Sequence, residues 1–243
     1  MNNYEIQAIP TSKTNIPQCQ GAMDGVVFKH PFRLYIVGAS GSGKSNLLLN
    51  LMSRAEFYKG YFDEVFVISP TANELDDSYA ILNLPPERFF QPNVEVLSVI
   101  ESIQKKNIEK KGIERAPKIL IILDDIISYR KFTASKQLLK MFVMGRHYGI
   151  SLCLLSQAYH RVPKSIRLNM SAMIYFKGSQ KETQVVYEDY CPPGYSKKQC
   201  MDMIHEATKK KYSFLCIDLH KSIEDGRYRR GLTENLISGV HEG

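Results

Sequence analysis

No apolar run in this chain approaches the roughly 18–20 residues needed to cross a bilayer as a helix. Residues 1–10 lack the charged-then-apolar order of a secretory leader, so the expected setting is cytosolic or nucleoplasmic, with no membrane partner. Cysteine is scarce: Cys19, Cys153, Cys191, Cys200 and Cys216 form an odd set without a CxxC pair. That count argues against a disulfide framework, and the irregular spacing of Cys191, Cys200, His205 and Cys216 argues against a structural zinc site. Internal repeats and low-complexity tracts are missing. So are an Asn/Thr-Lys-x-Asp guanine-reading motif and an LSGGQ-like segment, which removes GTPase switches and ABC-type ATPases from the classes in play.

What is present points elsewhere. The 243 residues suffice for one α/β domain with decorations, or two small ones, and leave no room for a two-core helicase. A net charge of +7 suits a polyanionic partner such as nucleic acid. From residue 33 onward, short apolar runs alternate with amphipathic stretches. Strands are predicted at residues 33–37, 64–68, 118–123, 150–155, 172–176 and 212–218, with one more around Val26, Val27 and Phe28. Helices are predicted at 46–52, at 134–146, and from a capping box formed by Ser98 and Glu101 through Val99, Ile100, Ile103 and Ile108 to Gly112. Two more capping boxes, Ser179 with Glu182 and Ser196 with Gln199, flank the breaker Cys191-Pro192-Pro193-Gly194. Alternating strands and helices predict an α/β fold with a mainly parallel sheet and helices on both faces. The boundaries read as an irregular lead-in (1–25), a core (26–220, with 178–220 as its C-terminal part or a subunit contact) and a basic tail (221–243).

The densest chemical signal is Gly38-Ala39-Ser40-Gly41-Ser42-Gly43-Lys44-Ser45, which satisfies GxxxxGK followed by Ser or Thr. It lies between a predicted strand and a predicted helix, the setting a phosphate-binding loop needs. Gly41 and Gly43 permit a backbone whose amides turn inward toward phosphate oxygens. The helix beginning near Asn46 adds the positive end of its dipole. Lys44 would reach the β and γ phosphates of ATP, and Ser45 would ligate Mg²⁺.

A magnesium site of this kind needs a carboxylate at a neighbouring strand end. The run Leu120-Ile121-Ile122-Leu123-Asp124-Asp125 offers it about 80 residues beyond Lys44. Asp124 would hold Mg²⁺, and Asp125, turned to the other side, would polarise the attacking water as a general base; the plainer alternative is that the pair caps the following segment. Residues 150–155 end in Ser156-Gln157, and Gln157 would sense the γ phosphate. Arg146 is the first choice for an arginine finger supplied to a neighbouring subunit, a role worth about 10³–10⁵-fold in rate. Arg161 and Arg167 are the alternatives.

Taken in order, residues 38–45, 120–125, 145–157 and 166–176 resemble the FtsK/HerA superfamily of DNA-pumping ATPases. The segment GRHYGISLCLLSQ is similar to the one in which that superfamily places Arg, then Gly-Ile, then an apolar strand ending in Gln. The small size and the Asp-Asp ending resemble the poxvirus-type genome-packaging ATPases of large DNA viruses and virophages. The resemblance covers roughly residues 26–177 and implies a RecA-like (ASCE) P-loop NTPase core with central strand order 5-1-4-3-2. It also implies a homo-oligomeric ring that threads double-stranded DNA into a preformed capsid, contacts with portal or vertex proteins, and work at a cytoplasmic virus factory. Cellular members usually carry Glu where this chain has Asp125, and the sequence-reading winged-helix domain of the bacterial translocases is missing. Basic clusters at Lys105, Lys106, Lys110 and Lys111, at Lys209-Lys210-Lys211, and at Arg227, Arg229 and Arg230 are candidate DNA contacts. The alternatives to a motor are a P-loop nucleotide kinase and a nucleotide-regulated switch that does not act on DNA.

Overall fold

Apolar runs without polar interruption become the inner strands of one sheet. The computed structural model describes residues 19–71 and 77–237; the rest of the lead-in (1–18) and of the tail (238–243) lies outside the described residues. In chain order the elements are α1 (Gln20–Met23), β1 (Arg33–Val37), α2 (Lys44–Ser53), β2 (Glu64–Ile68), β3 (Phe89–Phe90), α3 (Val94–Lys111), β4 (Ile119–Asp124), α4 (Arg130–Thr133), α5 (Lys136–Met144), β5 (Ile150–Ser156), α6 (Lys164–Arg167), β6 (Ala172–Phe176), α7 (Gln180–Tyr190), α8 (Lys197–Thr208), β7 (Phe214–Asp218), β8 (Tyr228–Arg230) and β9 (Glu234–Asn235). Among the described residues they build a sheet ordered β3-β2-β4-β5-β1-β6-β7-β8-β9. Neighbours from β3 to β6 run parallel and those from β6 to β9 antiparallel. With the two-residue β3 set aside, the parallel strands numbered along the chain read 5-1-4-3-2. The fold is α/β with a mainly parallel sheet.

Because side chains alternate across a strand, each inner strand feeds two cores. Ile119, Ile121 and Leu123 of β4, with Leu152 and Leu154 of β5, pack under α3, α5, α7 and α8. Leu120 and Ile122, with Cys153 and Leu155, pack under α1 and α2. Strands covered on both faces have no solvent side on which to place polar residues. Burying each such side chain stabilises by roughly 1.5–3 kcal/mol relative to leaving it exposed.

Several local expectations are corrected. Val27 and Phe28 are buried but form no strand; the Phe28 carbonyl accepts the Tyr58 hydroxyl at 2.5 Å in place of a ladder bond. Helix α3 begins before Ser98, because the Asn93 side chain accepts the Glu95 amide at 2.8 Å and caps it first. Ser98 therefore lies inside the helix and donates to the Val94 carbonyl at 3.3 Å. Its core face carries Leu97, Ile100, Glu101 and Gln104, while Val99 and Ile103 are exposed. Buried Glu101 is tolerated because Lys105, Lys140 and Gln137 converge on it at 2.6–2.7 Å. At α7 only half a capping box forms: Ser179 caps the helix, but Glu182 turns to the ring and backbone amide of His160. The Ser196–Gln199 box is complete.

The stretch assigned to a basic tail continues the sheet through β8 and β9. Its arginines are engaged within the chain. Arg229 is buried and donates to the Gly25 and Val26 carbonyls at 3.0 and 3.1 Å. Arg227 donates to Lys221 O at 2.8 Å, and Arg230 pairs with Glu234. This cluster closes the sheet edge over the N-terminal segment and offers DNA little charge.

Candidate active site

The loop between β1 and α2 takes the backbone path its glycines permit. Gly41 and Gly43 have φ of 72° and 102°, and Gly43 stands at the N-cap of α2. Gly38 is required by close approach: a Cβ there would sit 2.6 Å from Phe176 Cβ and 2.7 Å from Ser42 Oγ. A Cβ at Gly41 would meet nothing within 4 Å, so the loop that encloses the phosphate hollow needs glycine there for its φ and not for room. The first-turn amides of α2 have no intrahelical acceptor. The Ser42 hydroxyl is buried without a hydrogen-bond partner among the described residues, an orphan that a phosphate oxygen would satisfy. Ser45 and Asn46 lie on the first turn of α2, half-buried and exposed respectively, and Ala39 and Ser40 are exposed on the loop. Lys44 folds over this hollow and donates to the Gly38 and Ala39 carbonyls at 2.8 and 3.0 Å. Burial lowers its pKa, while Asp124 and Asp125 pull it back up, so both carboxylates lie within electrostatic reach of the ammonium.

Register brings them there. Strand β5 separates β1 from β4, with Val37 opposite Ser156 and Asp124 opposite Leu155. The Gly38 amide donates to Ser156 O at 3.2 Å, and the Asp125 amide to Leu155 O at 3.3 Å. Loop and acidic pair therefore flank the tip of β5. Asp124 is half-buried, and its carboxylate accepts the Tyr79 hydroxyl at 2.7 Å. Asp125 leaves the strand in the left-handed region, φ 52°, a conformation Asp tolerates better than most residues and one that concentrates at functional sites. Its carboxylate accepts Gln157 Nε2 at 2.9 Å. The fold thus assembles Lys44, Asp124, Asp125 and Gln157 at the C-terminal ends of the central strands.

Arg146 is not among them. It lies on the 3-10 turn Gly145–Tyr148 ahead of β5, exposed, with Nε 3.3 Å from His147 Nε2. The seven residues of β5 span about 20 Å between it and Gln157. Arg161 lines a cleft with Asp125, Gln157 and Arg130. Arg167 is committed elsewhere, paired with Asp189 and lying 4.7 Å over the Tyr159 ring, which removes it as a finger.

Ser45 and Asp124 have the chemistry of a magnesium site whose other ligands are phosphate and water oxygens. Among the described residues no cluster of three or more His, Cys, Asp or Glu could hold a metal by itself. Sequence reasoning missed Tyr79, because residues around it carry no periodic pattern. It also missed a groove of about 820 Å³ that runs from Gly43 and Lys44 along α2 to Phe176, Tyr212 and Phe214. An apolar groove of about 450 Å³ between α3 and the β2 edge lies beyond β4 and β5 from the loop and takes no part in this site.

The family model described as Poxvirus A32 protein matches residues 24–230. The DNA packaging protein OPG160 of Monkeypox virus is 30% identical over 164 residues, covering 65% of this chain and 52% of that protein. The chain thus spans about half the length of that curated relative. Among solved structures, the DNA-packaging ATPase B204 of Sulfolobus turreted icosahedral virus superposes with a TM-score of 0.54 at 14% identity, covering 79% of this chain and 94% of that one. ATPases 2 and 3 of EssC from Geobacillus thermodenitrificans give a TM-score of 0.55 at 15% identity, covering 87% of this chain and 41% of that one. At such identities these two speak for the fold alone. No helix among the described residues is long and apolar enough to cross a membrane.

Proposed function

This chain belongs to the poxvirus A32 protein family, and from that premise we propose that it is an ATP-hydrolysing motor that translocates double-stranded DNA into a viral capsid. The observation that carries the reading is the assembly at the tip of β5: a phosphate loop on one side, two carboxylates on the other, and Gln157 bonded to the second. The packaging name of the Monkeypox virus relative supports it.

In this reading the loop amides and Lys44 hold the terminal phosphates, and the ammonium leaves the loop carbonyls for phosphate oxygens. Asp124 and Ser45 hold Mg²⁺, whose charge would offset that of the triphosphate. Tyr79 fixes the Asp124 carboxylate. Asp125, aimed by Gln157, accepts a proton from the attacking water. Gln157 is thereby placed to report the state of the γ phosphate to the strand behind it. The transition-state arginine comes from a neighbouring copy in a ring, with Arg146 as the candidate, and the motor core extends past residue 220 to take in β8 and β9. Portal or vertex proteins and a virus-factory location follow from the packaging role. A strand tipped with Gln157 between loop and acids favours hydrolysis over phosphoryl transfer to an acceptor or a passive switch.

The test is ATP turnover with and without linear double-stranded DNA at low salt, where phosphate contacts are strongest. Turnover should rise on DNA addition. Equal rates would refute the motor while leaving the ATPase.

A further inference from the structure

We propose that the groove beside the phosphate loop is the nucleoside subsite, that Tyr212 is the platform on which the base stacks, and that the substrate class is therefore purine nucleoside triphosphates. This rests on the phosphate-loop reading and adds the part of the substrate the loop does not touch. A triphosphate gripped at Gly43 and Lys44 must continue into the space adjoining them. That space is the 820 Å³ groove, whose walls include Leu47, Phe176, Phe214 and Leu232 and whose volume falls within the range of small-molecule sites.

Tyr212 stands at the junction. Its Cδ1 lies 3.4 Å from where a Gly43 Cβ would be, so the ring borders the loop itself. Yet it is 57% exposed, unlike the aromatic residues around it. Its φ is 65°, a conformation that is an outlier for a bulky residue and that persists where surrounding structure imposes it for a purpose. The turn just before β7, closed by the Ser213 amide on Lys210 O at 3.0 Å, holds the backbone there. The Lys211 ammonium stands 4.8 Å over the ring. A ring fixed by its backbone, exposed, and adjacent to a phosphate loop is suited to stacking on a base.

The same lining sets the selectivity. Of the polar side chains along α2, Asn50 donates to Asn46 O at 2.8 Å and Arg54 pairs with Glu56 at 3.1 Å, while Lys44, Ser45 and Asn46 stand at the phosphate-loop end. The aromatic end carries no carboxylate or amide to read a base edge. Stacking area then decides, favouring purines over pyrimidines and separating adenine from guanine weakly.

Calorimetry of the full chain with MgATP, MgGTP, MgCTP and magnesium tripolyphosphate tests this. Tyr212→Asn removes the ring while suiting the left-handed backbone. It should weaken ATP and GTP binding by about 5- to 150-fold, the effect of losing one base–aromatic stack, and leave tripolyphosphate binding unchanged. CTP should bind the unaltered chain more weakly than either purine nucleotide and lose less in the variant. Tyr212→Phe should bind as the unaltered chain does. Unchanged ATP affinity in Tyr212→Asn overturns the subsite, and so does an equal loss of ATP and tripolyphosphate, which would mark a structural role at the loop. Failure of the phosphate-loop reading looks different: the unaltered chain would take up neither ATP nor tripolyphosphate.

Discussion

Acidification should destabilise this protein through one buried imidazole. His30 is 4% exposed, and its ring meets those of Tyr61 and Phe62 edge-on at 5.7 and 5.4 Å. Its Nδ1 lies 2.7 Å from Ser151 Oγ, and that oxygen accepts the Phe32 amide at 3.0 Å. One proton is shared between Nδ1 and the serine oxygen, and Nε2 is buried without a partner among the described residues. A second ring proton would leave a cation among aromatic rings. Burial foremost, then the charge of Lys118, lowers the His30 pKa from 6.5 to about 4, with Asp63 opposing. The unfolded chain therefore takes up this proton near pH 6.5 and the folded chain only near pH 4. The stability it confers is full above pH 6.5 and is lost as pH falls toward 4. At about 1.4 kcal/mol per pH unit the whole effect is about 3 kcal/mol, of which about 2 kcal/mol is lost between pH 7 and pH 5. Urea unfolding followed by circular dichroism at pH 7, 6 and 5 measures it, and His30→Gln isolates it from other titrating groups. The variant should lose about 2 kcal/mol less than the unaltered chain over that interval. Parallel stability profiles would refute the reasoning.

Three predictions concern turnover. Lys44→Ala removes the ammonium over the loop and should lower phosphate release by at least about 10²–10³-fold, the scale of losing one transition-state donor; retained turnover would sink the loop assignment. Gln157→Leu deletes a charge-assisted hydrogen bond to Asp125 worth about 1.5–3 kcal/mol, so single-turnover hydrolysis should fall by roughly 10- to 150-fold, with nucleotide affinity unchanged. Arg146→Ala should lower turnover of the assembled protein by about 10³–10⁵-fold while calorimetry finds normal ATP binding; lost binding would make it a structural residue.

Much of the fold is legible because its causes are local. Residues 33–37, 64–68 and 172–176 form strands with the expected bounds, since an uninterrupted apolar run between breakers has few other uses. The phosphate loop is legible because its shape is written in neighbouring glycines whose positive φ no other residue adopts as easily. What was misread depends on partners distant in sequence. Nothing near Arg229 announces that the carbonyls of Gly25 and Val26 will take its guanidinium. Glu101 looks like a capping residue until Lys140 and Gln137 arrive from another helix. Tyr79 and Tyr212 sit in segments without periodicity, and only the folded chain sets one beside Asp124 and the other beside Gly43.

Charge sets the remaining requirement on the site. A triphosphate brings about four negative charges, and Asp124 and Asp125 add two more. Lys44 supplies one positive charge, and Mg²⁺ would supply two. Hydrolysis moves further negative charge onto the phosphates, so a site built from these groups alone is short of cations when it needs them most. Arg167 is spent on Asp189, and Arg229 on backbone carbonyls. Arg161 and Arg130 line the cleft they share with Asp125 and Gln157, outside the groove that meets Lys44. Arg146 is exposed at the other end of β5, about 20 Å from the tip, too far to reach the phosphate loop of its own chain. A parallel sheet gathers its loops and acids at one end and leaves such a residue at the other. Under the proposed motor reading, copies standing side by side would each lend Arg146 to the next, and hydrolysis would then wait on the neighbour's position. That dependence is what a motor needs to turn chemistry into ordered steps along DNA.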